Sequence, residues 1–148
     1  MRILSAVALR PLAAALLVLP CVAPVVAQEE DEPFGVMAML DGEGVTGGGA
    51  EDGYAQFAGE IDKTTGELCY TLVVEDLEMT AAHIHKGKEG ENGAPVVTLE
   101  ATGEDDDEVC VKLDRAVAKA ITAKPSNYYV NVHSAEFPAG AIRGQLED

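Results

Sequence analysis

Beyond residue 33 the chain keeps returning to alternation of apolar and polar positions, the period of two expected of strands with one buried face. Phe34 to Leu40 and Tyr54 to Ile61 read this way, with glycines at 42, 44, 47, 48, 49 and 53 making a turn-rich connection between them. Asp62 to Gly66 is a hairpin turn, and Leu68 to Val74, rich in β-branched residues and carrying Tyr70, follows as a central strand. Ala81 to His85 is short and extended, Lys86 to Pro95 a glycine-rich loop expected to be a mobile turn, and Val96 to Glu100 a further strand. An acidic turn from Glu104 to Glu108 leads into Val109 to Leu113. One helix is expected over Asp114 to Ala123, capped by Asp114, stopped by Pro125, with Val117, Ala120 and Ile121 on one side. Tyr128 to His133 and Ala141 to Leu146 then pair as a hairpin around residues 134 to 140. Seven or eight short strands with one helical connection predict an all-β sandwich or barrel.

The first 33 residues follow a different rule. Arg2 and Arg10 precede an apolar run from Leu12 to Leu19, and Val25 and Ala27 stand three and one residues before a plausible cut, the order of a cleavable signal peptide over residues 1 to 27. A membrane anchor needs about 20 uninterrupted apolar residues, whereas Pro11, Pro20 and Pro24 break this stretch. Pro20 also occupies the place of the small residue expected before a lipidated cysteine, which argues against lipidation at Cys21. Residues 28 to 33 form an acidic flexible tail, and residues 34 to 148 form one β domain. Export to the periplasm or the exterior is therefore expected, without stable membrane insertion after cleavage.

Cleavage changes charge and cysteine count together. The full chain carries −16; without Arg2 and Arg10, eight basic residues face 26 acidic ones, a net charge of −18. Such a surface excludes nucleic acid and anionic membrane as natural partners. Loss of Cys21 leaves Cys69 and Cys110, which are expected to form a disulfide in an oxidising compartment. A structural disulfide suffices, since no C-x-x-C spacing suggests redox chemistry.

The chemistry worth weighing lies in three histidines. Strand periodicity puts His83 and His85 on one face with Ile84 on the other, and separates Asn131 and His133 from Val130 and Val132. The last strand puts Arg143 and Gln145 opposite Ile142, Gly144 and Leu146, so the terminal hairpin sets Asn131, His133, Arg143 and Gln145 side by side. If the strand carrying His83 and His85 lies next to that hairpin, all three histidines converge.

Several segments together carry a family resemblance. They are Ala81-Ala82-His83-Ile84-His85-Lys86-Gly87, the Gly90 to Gly93 loop with Pro95-Val96-Val97, Pro125 through His133, and Phe137 through Leu146. The chain from about Phe34 to Leu146 resembles the CHRD (chordin) domain family. The resemblance implies an immunoglobulin-like Greek-key β-sandwich or barrel and a small secreted bacterial module. The chain has one copy, lacks the cysteine-rich modules that bind growth factors in chordin, and has Gly42-Glu43-Gly44-Val45 where an acidic-Val-Pro motif is common. Growth-factor antagonism is therefore not expected of it.

Three readings of the histidine face stay open. In the first, the chain is a binding or structural module in which the histidines and Arg143 hydrogen-bond loop carbonyls or Asn131 and tie one end of the barrel shut. Alternatively, three neutral imidazoles at His83, His85 and His133 suit copper or zinc and leave one position open. A nearby guanidinium at Arg143 opposes a cation unless it faces away. The third reading, an enzyme similar to copper-zinc superoxide dismutase, needs more histidines than the three this chain contains. No nucleophile elbow, H-E-x-x-H or phosphate loop is present. A monomeric, non-catalytic module with an unknown protein or metal ligand is the expectation.

Overall fold

The computed structural model describes residues 32–100, 102 and 107–148. The signal segment, most of the acidic tail and all but the end of the 104 to 108 turn lie outside the described residues. Eight strands form: β1 (Phe34–Asp41), β2 (Tyr54–Asp62), β3 (Glu67–Glu75), β4 (Met79–Lys86), β5 (Pro95–Leu99), β6 (Val109–Lys112), β7 (Tyr128–Ser134) and β8 (Ile142–Gln145). They make one antiparallel sheet in the order β5-β4-β7-β8-β1-β2-β3-β6, curled into a nearly closed barrel. Consecutive strands β3 and β4, β5 and β6, and β6 and β7 are not hydrogen-bonded neighbours in this order, so the chain crosses over three times.

Alternation decides which face is inside. Val36, Ala38 and Leu40 of β1, Phe57 and Ile61 of β2, and Leu68, Tyr70 and Leu72 of β3 fill the barrel. Ile84, Val130, Val132 and Ile142 complete the core from the other half of the sheet. Met37 and Met39, the residues between, are exposed on the outer face of β1. The β2–β3 hairpin turns where Asp62 accepts hydrogen bonds from the backbone of Thr64 and Thr65, and Gly66 adopts the positive φ of 78° that the turn needs.

The one α-helix, α1 (Arg115–Ala123), is capped by the Asp114 carboxylate, which accepts from Ala116 N–H at 2.7 Å. Its buried residues are Ala118 and Ile121, with Val117 partly buried. Ala120, expected on that side, is exposed and Ala118 takes its place, one step round the helix. A single turn of 3-10 helix, Pro125–Asn127, leads into β7. Among the described residues no helix is long and apolar enough to cross a membrane.

Cys69 and Cys110 form the expected disulfide, directly opposite one another on β3 and β6 with Cα atoms 4.0 Å apart. The β3–β6 ladder covers only residues 67 to 70 of β3. Beyond it the seam closes through side chains. The Thr102 hydroxyl accepts from Leu72 N–H at 2.9 Å and donates to Leu72 C=O at 2.8 Å. Two residues back along β3, the Tyr70 hydroxyl accepts from Glu100 N–H at 2.6 Å and donates to Glu100 C=O at 3.1 Å.

Candidate metal centre

β4 pairs with β7, so the adjacency on which convergence depended is present. The register sets His83 opposite Asn131, His85 opposite Tyr129 and Ala81 opposite His133. Because Ile84, Val130 and Val132 point into the barrel, the histidines stand on its outer face. They are roofed by two segments, residues 87 to 94 after β4 and 135 to 140 after β7. The polar cluster therefore lies on the outer surface of β4 and β7, beneath these two segments.

One ring nitrogen from each of His83, His85 and His133 lies within 4.8 Å of the other two. His83 Nδ1 and His133 Nε2 are 3.1 Å apart. Four-coordinate zinc with bonds of 2.0–2.1 Å sets neighbouring nitrogens about 3.3 Å apart, so this pair already has nearly the spacing of two ligands. The rings of His83 and His133 meet edge-on with centroids 5.1 Å apart.

Bonds at the outer nitrogens fix the state of the inner ones on His85 and His133. His85 Nδ1–H donates to Gly93 C=O at 2.9 Å, and His133 Nδ1–H donates to Pro138 C=O at 3.1 Å. A carbonyl can only accept, so each bond selects the neutral tautomer whose Nε2 carries the lone pair. His133 Nε2 then accepts from His83 Nδ1–H. His85 Nε2 is buried with no hydrogen-bond partner among the described residues. Burial, chiefly, pushes His85 and His83 below the ordinary histidine value; His133 adds to both shifts, His85 to that of His83, and Arg143 to that of His85. Neutral imidazole is the form a metal takes.

Asn131 belongs to the cluster as a neighbour: its Nδ2 is 3.4 Å from His133 Nε2 and donates to Ala139 C=O at 3.4 Å. Its Oδ1 has no partner. Gly140 is required beside it, since a Cβ there would lie 2.7 Å from Oδ1 on a backbone with φ of 146°. His85 and Asn131 also line a pocket of about 350 Å³ beneath the 135 to 140 segment.

Arg143 and Gln145 stand opposite Asn131 and Tyr129 across the β7–β8 ladder, and their side chains bond the 87 to 93 segment. Arg143 donates to Lys88 C=O at 3.0 Å, Glu91 C=O at 2.8 Å and Asn92 Oδ1 at 3.2 Å. Gln145 Nε2 donates to Gly87 C=O at 2.8 Å and also reaches the carbonyls of Ser126 and Tyr128. A segment read as a mobile turn is thus pinned at several points. The Arg143 guanidinium lies 3.4 Å above the Tyr129 ring, whose plane is stacked on His85 at 14° with centroids 5.0 Å apart. Tyr129 thus contacts both the guanidinium and His85, and the guanidinium charge still disfavours a positive charge on His85.

Sequence reasoning left Gly93, Pro138 and the stacking role of Tyr129 unassigned. The glycine density of residues 87 to 93 was the available signal, because glycine marks close backbone approach. A Cβ on Gly93 would overlap the Lys86 carbonyl oxygen. The other cluster of potential ligands, Cys69, Glu108 and Cys110, has its two sulfurs joined in the disulfide.

No curated protein and no solved structure matches the chain. The CHRD domain model matches residues 36–146, which spans all eight strands apart from the first two residues of β1 and includes every histidine. The chain belongs to the CHRD domain family.

Proposed function

We propose that this CHRD domain is an exported, non-catalytic module that binds a borderline metal ion, copper or zinc, through His83 Nδ1, His85 Nε2 and His133 Nε2. The observation that carries the reading is the buried, unpartnered Nε2 of His85, held bare by the Nδ1–H bond to Gly93 on a ring with one nitrogen within 4.8 Å of nitrogens of the two other histidines. A purely structural tie accounts for the bonds to Gly93 and Pro138 but leaves that lone pair unexplained; a metal accounts for both. Imidazole bound to metal typically donates its other N–H to a carbonyl in this way. Export is supported by the order of residues 1 to 27 and by the Cys69–Cys110 disulfide, which suits an oxidising compartment. The non-catalytic reading rests on a chain with three histidines, too few for a dinuclear copper-zinc site.

Titration of the metal-stripped domain with Zn²⁺ or Cu²⁺ by calorimetry tests the proposal, beside the His85→Ala and His133→Ala variants. One ion per chain is expected for the parent protein, with affinity falling by at least about 100-fold in each variant. Equal binding by parent and variants would refute it.

A further inference from the structure

The histidines are held by different parts of the chain. His133 leans on Pro138, five residues further along its own hairpin. His85 leans on Gly93, a carbonyl in the separate segment after β4. That segment is held at one end by Lys86 N–H, which donates to Ala94 C=O at 3.2 Å, and along the rest of its length from β8. Arg143 makes three hydrogen bonds to residues 88, 91 and 92, two of them to backbone carbonyls. Its guanidinium carbon also lies 3.4 Å from the centre of the Tyr129 ring. Tyr129 in turn stacks on His85 and, through its hydroxyl, accepts from Gly93 N–H at 3.2 Å. Both routes, through the segment and through the ring, end on His85.

The chemistry of this arrangement needs an arginine. A planar fork can address several acceptors at once while its face rests on an aromatic ring, whereas a lysine ammonium is a point charge without a face. Arg143 is buried, 5 % exposed, and its hydrogen-bond partners are carbonyls and an amide. Its bonds therefore organise backbone.

We propose that Arg143 is the positioning residue for His85: by fixing the 87 to 93 segment and the Tyr129 ring, it holds His85 in the tautomer whose Nε2 is bare. The consequence for metal affinity rests on the function proposed above, but the effect on the tautomer does not.

Long-range ¹H–¹⁵N spectra of the metal-free protein assign the tautomer of each histidine separately, and His133 serves as an internal control. In the parent protein both His85 and His133 are expected as the Nδ1–H form. In Arg143→Met, His85 is expected to shift towards a mixture of tautomers while His133 keeps its own, and Arg143→Lys is expected to restore little. Zn²⁺ affinity should fall about 10- to 100-fold in Arg143→Met, the range typical of losing a group that orients a ligand. It should fall no further when Arg143→Met is added to His85→Ala.

An unchanged His85 tautomer in folded Arg143→Met would overturn the proposal, as would equal loosening of His85 and His133. Should Arg143→Met fail to fold, Asn92→Ala removes one anchor from an exposed position, and absence of any change at His85 there overturns it equally. If the tautomer shifts as expected but the parent protein binds no Zn²⁺, the positioning role stands and the metal reading falls.

Discussion

Replacing Thr102 by valine removes one oxygen and should destabilise the barrel out of proportion to its size. The hydroxyl serves both Leu72 N–H and Leu72 C=O at a point where β3 has no strand on the side away from β2, since the β3–β6 ladder ends at Tyr70. Thr102 is 5 % exposed and Leu72 is 1 % exposed, so water does not replace the lost partner. An unsatisfied buried donor or acceptor costs about 1–3 kcal/mol. Two such groups, partly relieved by relaxation, put the loss at about 2–4 kcal/mol, while the preserved side-chain volume adds little. Thr102→Ser keeps the hydroxyl and loses one methyl group, which costs about 1 kcal/mol. Urea unfolding followed by circular dichroism distinguishes the two, with midpoints in the order parent, serine, valine and equal m values. A valine variant within about 0.5 kcal/mol of the parent would show that the Thr102 hydroxyl does not seal the seam.

Reduction of Cys69–Cys110, 41 residues apart, should lower stability by about 4 kcal/mol in the chain-entropy model, read as the difference in urea midpoint with and without reductant. Gly93→Ala should abolish the site while leaving the barrel folded, because its Cβ meets the Lys86 carbonyl; Zn²⁺ titration lost with far-ultraviolet circular dichroism retained is the expected pair of results. The metal-free protein should become less stable as pH falls below the ordinary histidine value of 6.5. Burial lowers His83 and His85 in the folded state, so the unfolded chain takes up their protons first; the stability is present above 6.5 and is lost towards the lower folded values. Thermal melts between about pH 7.5 and pH 5.5 should show this slope in the parent, and a His83→Gln, His85→Gln variant should flatten it.

The barrel was largely legible because alternation is a local signal. Val36, Ala38 and Leu40 against Met37 and Met39 fix the faces of β1 without reference to any other strand, and the H-x-H spacing fixes His83 and His85 against Ile84 in the same way. What periodicity does not encode is which segment covers a face. Arg143 and Gln145 were placed on the correct side of β8, yet their partners come from residues more than 50 positions away in the case of Arg143. The same gap hid Thr102, whose hydroxyl replaces a strand that the pattern would have had to supply. In α1, the difference between Ala118 and Ala120 is a rotation about the helix axis that two equivalent alanines give no means of choosing.

The histidines stand on the outside of a sheet whose inside is the core, and this divides the burdens on each strand. At His83, Ile84 and His85, successive residues answer to different demands: the middle one to packing in the core, the outer two to the polar cluster on the outer face. Substitutions at the outer positions, or exchange of the segments that roof them, leave the inner wall of Ile84, Val130, Val132 and Ile142 intact. The architecture is therefore evolvable in a specific sense: one barrel can acquire, alter or lose a binding specificity through its flank without having to rediscover how to fold.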